Sequence, residues 1–166
     1  MTPALKSVDE AQGAGIVGIK HMAFAVSDVE AVRATYARLL GVAADAPIHD
    51  YAGSRTRVAL FDLGGTEYQL CQSMDADGRF AAWIAERGEG LHHICYEVSD
   101  IEAALAHAQR NGSGLKTCRA CGVAGSHPHP EGFVAFLDAD AGGIEIEFMQ
   151  VYTDEERRRF EAVRDV

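Results

Sequence analysis

The sequence predicts an α+β fold made of two tandem βαβββ modules. Three observations predict it: a segment that occurs twice, a helix start after each occurrence, and a glycine pair at a matching place later in each copy. Residues 20–32 read KHMAFAVSDVEAV and residues 92–104 read HHICYEVSDIEAA. His21 and His93, Val26 and Val98, and Ser27 and Ser99 each stand 72 positions apart, so one unit has been used twice.

Each copy opens with an apolar or alternating run, over 21–26 and 93–98, rich enough in Val, Ile and aromatics to be a strand. Ser27-Asp-Val-Glu30 and Ser99-Asp-Ile-Glu102 follow as capping boxes, with the serine as the cap. The first helix is expected to stop at Gly41 and the second at Asn111-Gly112. Strands are predicted near 42–48, 55–63 and 66–72, then near 114–120, 133–138 and 144–150, with Gly64-Gly65 and Gly142-Gly143 as equivalent hairpin turns. Phe80, Trp83 and Ile84 share one face of a short connector helix over 78–87. The expected organisation is a flexible N-terminal segment over 1–16, module one over 17–73, a linker helix over 74–89, module two over 90–150, and a C-terminal helix over 151–166. That last helix is opened by the capping box Thr153-Asp-Glu-Glu156.

At 166 residues and 48% hydrophobic content the chain can bury a substantial core. Its formal charge of −10, from 25 acidic against 15 basic residues, argues against nucleic acid or an anionic membrane surface as a partner. No basic stretch precedes an apolar run at the N-terminus, so a cytoplasmic protein is expected. Cys71, Cys95, Cys118 and Cys121 are then expected as free thiols. Cys118-Arg-Ala-Cys121 has zinc-ribbon spacing, but a second such pair is missing, so a thiol pair in a hairpin is expected.

The duplication also places candidate ligands. Two modules packed about a pseudo-twofold bring their first strands to equivalent places, where His21 and His93 can share an ion. Gln69 follows Gly65 by four residues and Glu147 follows Gly143 by four, so these two side chains are counterparts as well. Two imidazoles, one carboxylate and one amide oxygen make a mixed N/O site for one divalent ion, Co, Mn, Ni, Zn or Fe, with positions left for substrate oxygens. His92, out of phase with His93, is expected on the opposite face, His107 on a helix surface and His49 in a loop.

On these residues, and on Gly90-Leu-His-His-Ile-Cys-Tyr-Glu-Val98, Gly125-Ser126-His127 and Gly142-Gly143-Ile-Glu-Ile-Glu147, the chain resembles the vicinal oxygen chelate superfamily over about residues 18–150. Within it the resemblance is nearest to the methylmalonyl-CoA epimerases. It implies a cup-shaped mixed sheet, a homodimer, and a metal-dependent isomerase that exchanges a proton alpha to a carbonyl through a chelated enolate. In such enzymes the carboxylate corresponding to Glu147 is both ligand and base. The second catalytic carboxylate of those epimerases falls on Arg57 here, which leaves Glu67, Glu145 and His127 as substitutes, Glu67 being favoured. A His-Pro-Lys stretch common in that family is replaced by Asp138-Ala139-Asp140, whose charge disfavours polyanionic coenzyme A. Two small-molecule substrates therefore stand side by side, an acyl-CoA and a keto-cyclitol of the kind that valiolone epimerases use. A glyoxalase I-like lyase, an extradiol dioxygenase and a non-enzymatic small-molecule-binding protein are the other readings that the superfamily offers.

Overall fold

The computed structural model describes residues 13–164, so most of the expected flexible N-terminal segment, residues 1–12, lies outside the described residues. The elements run β1 (Ile16–Ala25), α1 (Val29–Leu40), β2 (Ile48–Tyr51), β3 (Thr56–Leu63), β4 (Thr66–Ser73), α2 (Arg79–Arg87) and β5 (Gly90–Val98). They continue with α3 (Ile101–Arg110), β6 (Leu115–Lys116), β7 (His127–Pro128), β8 (Gly132–Ala141), β9 (Ile144–Val151) and α4 (Asp154–Arg164). All the strands join one curled mixed sheet in the order β2-β3-β4-β1-β5-β9-β8-β6, with β7 also on β8. This is the expected fold. In each half the last strand lies parallel to the first, β4 on β1 and β9 on β5, and the halves meet where β1 and β5 pair antiparallel.

Both glycine pairs form tight hairpins, and all four glycines have left-handed φ, between 65° and 87°, as the right-handed twist of the flanking strands requires. Asp62 Oδ1 accepts from Gly65 N, and Asp140 Oδ1 accepts from Gly143 N in the matching place. The strand expected near 42–48 instead begins at Ile48. Pro47 has no N–H to give to a ladder, and its carbonyl accepts from Leu60 N. His49 consequently lies on β2 rather than in a loop. The strand expected near 114–120 is cut to two residues, because the Cys118–Cys121 segment closes a turn of its own.

The capping expectation is corrected in one respect. Asp28, not Ser27, caps α1, its Oδ1 accepting from Glu30 N and Ala31 N, and Asp100, not Ser99, caps α3 by accepting from Ala103 N. A carboxylate at the cap satisfies free amides and also meets the positive end of the helix dipole. At α4 the box forms as the sequence predicts, Glu156 accepting from Thr153 N and Thr153 Oγ1 accepting from Glu156 N.

Helices α1 and α3 cover one face of the sheet, called here the outer face. Val29, Val32 and Tyr36 pack on Ala59, Leu70 and Phe61, while Ile101, Ala104 and Leu105 pack on Ala135, Leu137 and Phe148. Helix α2 lies on the other, inner face, where Phe80, Trp83 and Ile84 pack on Ala23, Ala25, Val58 and Cys71. The small Ala23 and Ala25, both at 0% exposure, let the helix approach the sheet closely. Helix α4 docks through Phe160 on Tyr152, with ring centroids 5.6 Å apart.

Replacing Asp28 by Ala is expected to lower stability by about 1 kcal/mol, and replacing Ser27 by Ala to leave it nearly unchanged. Urea midpoints of the two variants measure the difference.

Candidate metal centre

The antiparallel β1–β5 seam fixes the site. In its centre Met22 pairs with Ile94, flanked by His21 opposite Cys95 and Ala23 opposite His93. The histidines are therefore diagonal neighbours. Each has a small residue across from it, which leaves room for the rings to lean together, and diagonal pairs lie within reach of large side chains. His21 Nε2 and His93 Nε2 are 3.3 Å apart with the rings nearly perpendicular.

The parallel pairings extend the seam into two rows. One reads Glu67, His21, Cys95, Glu147 across β4, β1, β5 and β9; the next reads Gln69, Ala23, His93, Glu145. Read backwards, the first row has the order of types of the second: ligand candidate, small residue, histidine, acid. Glu147 Oε2 lies 3.4 Å from His21 Nε2 and 3.2 Å from His93 Nε2. All three side chains are buried, each residue at 5% exposure.

The structure thus brings His21, His93 and Glu147 together. Gln69 stands on the same inner face, one strand from Ala23, and its Nε2 donates to Glu67 Oε1 at 2.8 Å. With that nitrogen committed, the amide oxygen is the atom available to an ion. His127 is not brought to the triad: it sits on β7, and its ring groups with Cys118, Cys121 and His129. Arg57 lies on the outer face, ion-paired with Glu30 of α1 and Asp50 of β2, far from any role in place of a base. Cys95, which strand alternation puts on the face of His93, contributes a thiol within 4.8 Å of His21 and Glu147 donors. Burial pushes its pKa well above the ordinary thiol value, and the nearby Glu147 adds to this.

The expectation for His92 is overturned. The β1–β5 register slips at Val17, at Lys20 and at His92, and the last two are β-bulges at positions related by the repeat. A bulge inserts a residue and re-aims the side chains beside it. His92 consequently turns to the inner face, against Phe80 and Trp83 of α2, with its Nδ1 2.9 Å from His93 Nδ1. Lys20, its counterpart, reaches Glu131 at 3.3 Å and Glu67 at 3.7 Å. Nothing in an alternating hydrophobic pattern marks a bulge; the paired Lys20-His21 and His92-His93 were its only trace in the sequence.

Electrostatics separate the acids. Burial alone would raise the pKa of Glu147, but hydrogen bonding with His21 and His93 holds it far below the usual carboxylate range. Burial lowers the pKa of His93, only partly opposed by Glu147. Burial, with Arg79 beside it, takes His92 down to about 2. Two ring nitrogens and a carboxylate oxygen therefore face one another at 3.2–3.4 Å. Those separations are what donors about 2.0–2.2 Å from a common ion subtend, so the residues fit a divalent cation.

Glu145 is occupied differently. It pairs with Arg79 of α2 at 2.5 Å and with Lys116, and although burial opposes it, these cations bring its pKa down to about 2. It clamps α2 to the sheet. A carboxylate with a depressed folded-state pKa lends stability that is complete above the unfolded value and is lost as pH falls through the folded one. Glu145→Gln is therefore expected to remove the part of acid destabilisation that falls between about pH 4.5 and about pH 2, as read from urea unfolding across that range.

Residues 20–133 match the glyoxalase/bleomycin resistance protein/dioxygenase superfamily. The chain is 34% identical over 121 residues to the ethylmalonyl-CoA/methylmalonyl-CoA epimerase of Cereibacter sphaeroides, covering 69% of this chain and 90% of that protein. It is 30% identical over 136 residues to the mitochondrial methylmalonyl-CoA epimerase of Bos taurus, covering 80% of this chain and 73% of that one. Its fold is similar to that of the methylmalonyl-CoA epimerase of Mycobacterium tuberculosis, with a TM-score of 0.70 at 21% identity over 86% of this chain and 93% of that chain. The Streptomyces coelicolor enzyme in complex with 2-nitronate-propionyl-CoA is similar too, with a TM-score of 0.62 at 20% identity, covering 83% of this chain and 99% of that chain.

Proposed function

The chain belongs to the glyoxalase/bleomycin resistance/dioxygenase superfamily, its relatives there being methylmalonyl-CoA epimerases, and on that premise we propose that it is a metal-dependent epimerase of a methylmalonyl-CoA-type thioester. One observation carries the reading: two imidazole nitrogens and a buried carboxylate oxygen converge at 3.2–3.4 Å on the face that the fold encloses. His21, His93 and Glu147 would hold the ion, with Gln69 as the fourth donor. A bound divalent ion supplies Lewis-acid stabilisation of the oxygen charge that develops when a proton leaves the carbon alpha to a carbonyl.

The chain's own groups do the rest. His93 Nδ1–H donating to His92 Nδ1 would fix the tautomer that leaves Nε2 with a lone pair, the usual task of a ligand's second partner. Glu147, its Oε2 turned to the imidazoles, would exchange a proton with one face of the substrate. Epimerisation needs a second acid/base group on the other side. Glu145 is tied to two cations and His127 belongs to another group, so Glu67 remains. It is on the inner face beside His21, its side chain 28% exposed, with Gln69 Nε2 and Lys20 as neighbours.

The local argument against coenzyme A weakens in the structure. Asp138 Oδ1 accepts from Gly114 N and Ser113 Oγ, and Asp140 caps the β8–β9 hairpin; both carboxylates serve backbone turns. The thioester is therefore the preferred substrate, and the keto-cyclitol is the outcome that a negative assay would favour. A homodimer in the cytoplasm is part of the same reading, supported by the exposed apolar Val17 and Ile19 at the start of β1. Among the described residues no helix is long and apolar enough to cross a membrane.

Solvent deuterium is expected to enter the alpha position of methylmalonyl-CoA with racemisation, both lost on chelation and restored by a divalent metal. No exchange into this thioester under any metal would sink the proposal. Glu147→Gln should cost about 10²- to 10⁴-fold in turnover, the usual contribution of a general base. Glu67→Gln should leave proton exchange in one epimer while blocking conversion to the other; normal racemisation by that variant would remove Glu67 from the mechanism.

A further inference from the structure

On the inner face of module two the segment between β6 and β7 lies beyond α2, and Cys118 packs there with Cys95, Val134, Phe136 and Met149. The segment folds on itself. Gly122 N donates to Cys118 O, and Cys118 N donates to Val123 O, each at 2.8 Å, with Gly122 at φ +70°. This turn brings Cys118 and Cys121 toward one another and toward β7. There His127 pairs with Val134 of β8, and two residues on His129 N donates to Gly132 O.

Four donors meet as a result. Cys118 Sγ is 3.7 Å and Cys121 Sγ 3.4 Å from His129 Nε2, and the rings of His127 and His129 lie 5.0 Å apart. One ligand atom from each of the four residues falls within 4.8 Å of all the others. His127 adds an independent observation. Its Nδ1 lies 2.8 Å from Gly125 O and can only donate to that carbonyl, so Nε2 carries the lone pair; that Nε2 is buried and has no hydrogen-bond partner among the described residues. A ring nitrogen anchored on one side by a backbone carbonyl, with its lone pair unused on the other, is the arrangement of a ligating histidine. His127 itself is 5% exposed.

We propose that Cys118, Cys121, His127 and His129 hold a second transition-metal ion, zinc by preference, in a closed tetrahedral site separate from the His21–His93–Glu147 centre. Two sulfurs and two imidazole nitrogens suit zinc in tetrahedral geometry. Metal–sulfur bonds of about 2.3 Å and metal–nitrogen bonds of about 2.0–2.1 Å place tetrahedral S and N donors about 3.5 Å apart; the observed 3.4 Å and 3.7 Å bracket that figure. The pair of ligands that the Cys118-x-x-Cys121 spacing lacks in sequence is supplied by two histidines on and beside a strand. Four protein ligands leave no open position, so the ion's role is to fasten the 117–129 segment over the inner face rather than to bind substrate.

The two sites differ in a way that spectroscopy reads, because only the second is built on a thiolate pair. The full chain, reduced and stripped with chelator, is titrated with Co(II). Two equivalents are expected, one of them with a near-ultraviolet thiolate-to-cobalt charge-transfer band and the strong visible absorption of tetrahedral cobalt. Cys118→Ser with Cys121→Ser should lose that band and one of two equivalents, whereas His21→Ala with His93→Ala should keep the band and lose the other. Uptake without charge-transfer absorption in the unaltered protein overturns the proposal, as does a band of undiminished intensity in the double serine variant. The unaltered chain decides the matter even where a variant does not fold. Failure here leaves the epimerase reading untouched, and failure of metal-dependent exchange leaves this site untouched.

Discussion

The structure depends on one electrostatic constraint, a carboxylate enclosed between two imidazoles. Taking a charged group out of water costs several kcal/mol unless partners replace the lost solvation, and Glu147 has no solvent to fall back on. Everything that positions the two histidines serves this demand. The antiparallel seam sets them on a diagonal, small residues opposite each ring let them converge, and the parallel pairing of β9 with β5 brings Glu147 into line.

Much of this was legible in the sequence because it follows from periods. The repeat offset fixed His93 once His21 was chosen, and the Gly-Gly turns fixed the register that makes Gln69 the counterpart of Glu147. Strand order follows from these with little freedom. What periods cannot show is a break in the period. The bulges at Lys20 and His92 reverse the expected direction of His92 and put a second imidazole behind His93, and they exist only because two strands must fit each other. The cap lies one residue on from the serine for a related reason: Ser27 and Asp28 both suit the position by type, and Asp28 is the one that takes it, with extended backbone at φ −139° and ψ 99°.

Partners distant in sequence are the other thing that composition and spacing leave out. Asp138 Oδ1 accepts from Gly114 N, 24 residues away, while Asp140 Oδ1 accepts from Gly143 N inside the β8–β9 hairpin. Cys118 and Cys121 form a thiol pair in a turn, as their spacing predicts, and the two histidines that stand beside them, His127 and His129, follow at a spacing outside the usual zinc-ribbon pattern.

The seam between β1 and β5 has one more consequence. Nothing in its hydrogen bonding requires the two modules to come from the same polypeptide, since the two rows that cross it are the same pattern run in opposite directions. Module one of one molecule could close on module two of another with every inter-strand bond retained. What favours closure within a chain is the short tether through α2, which keeps the second module at high effective concentration near the first. Arg79 and Arg87, reaching Glu145 and Gly143 O, hold that tether against module two and so act against exchange of modules between molecules.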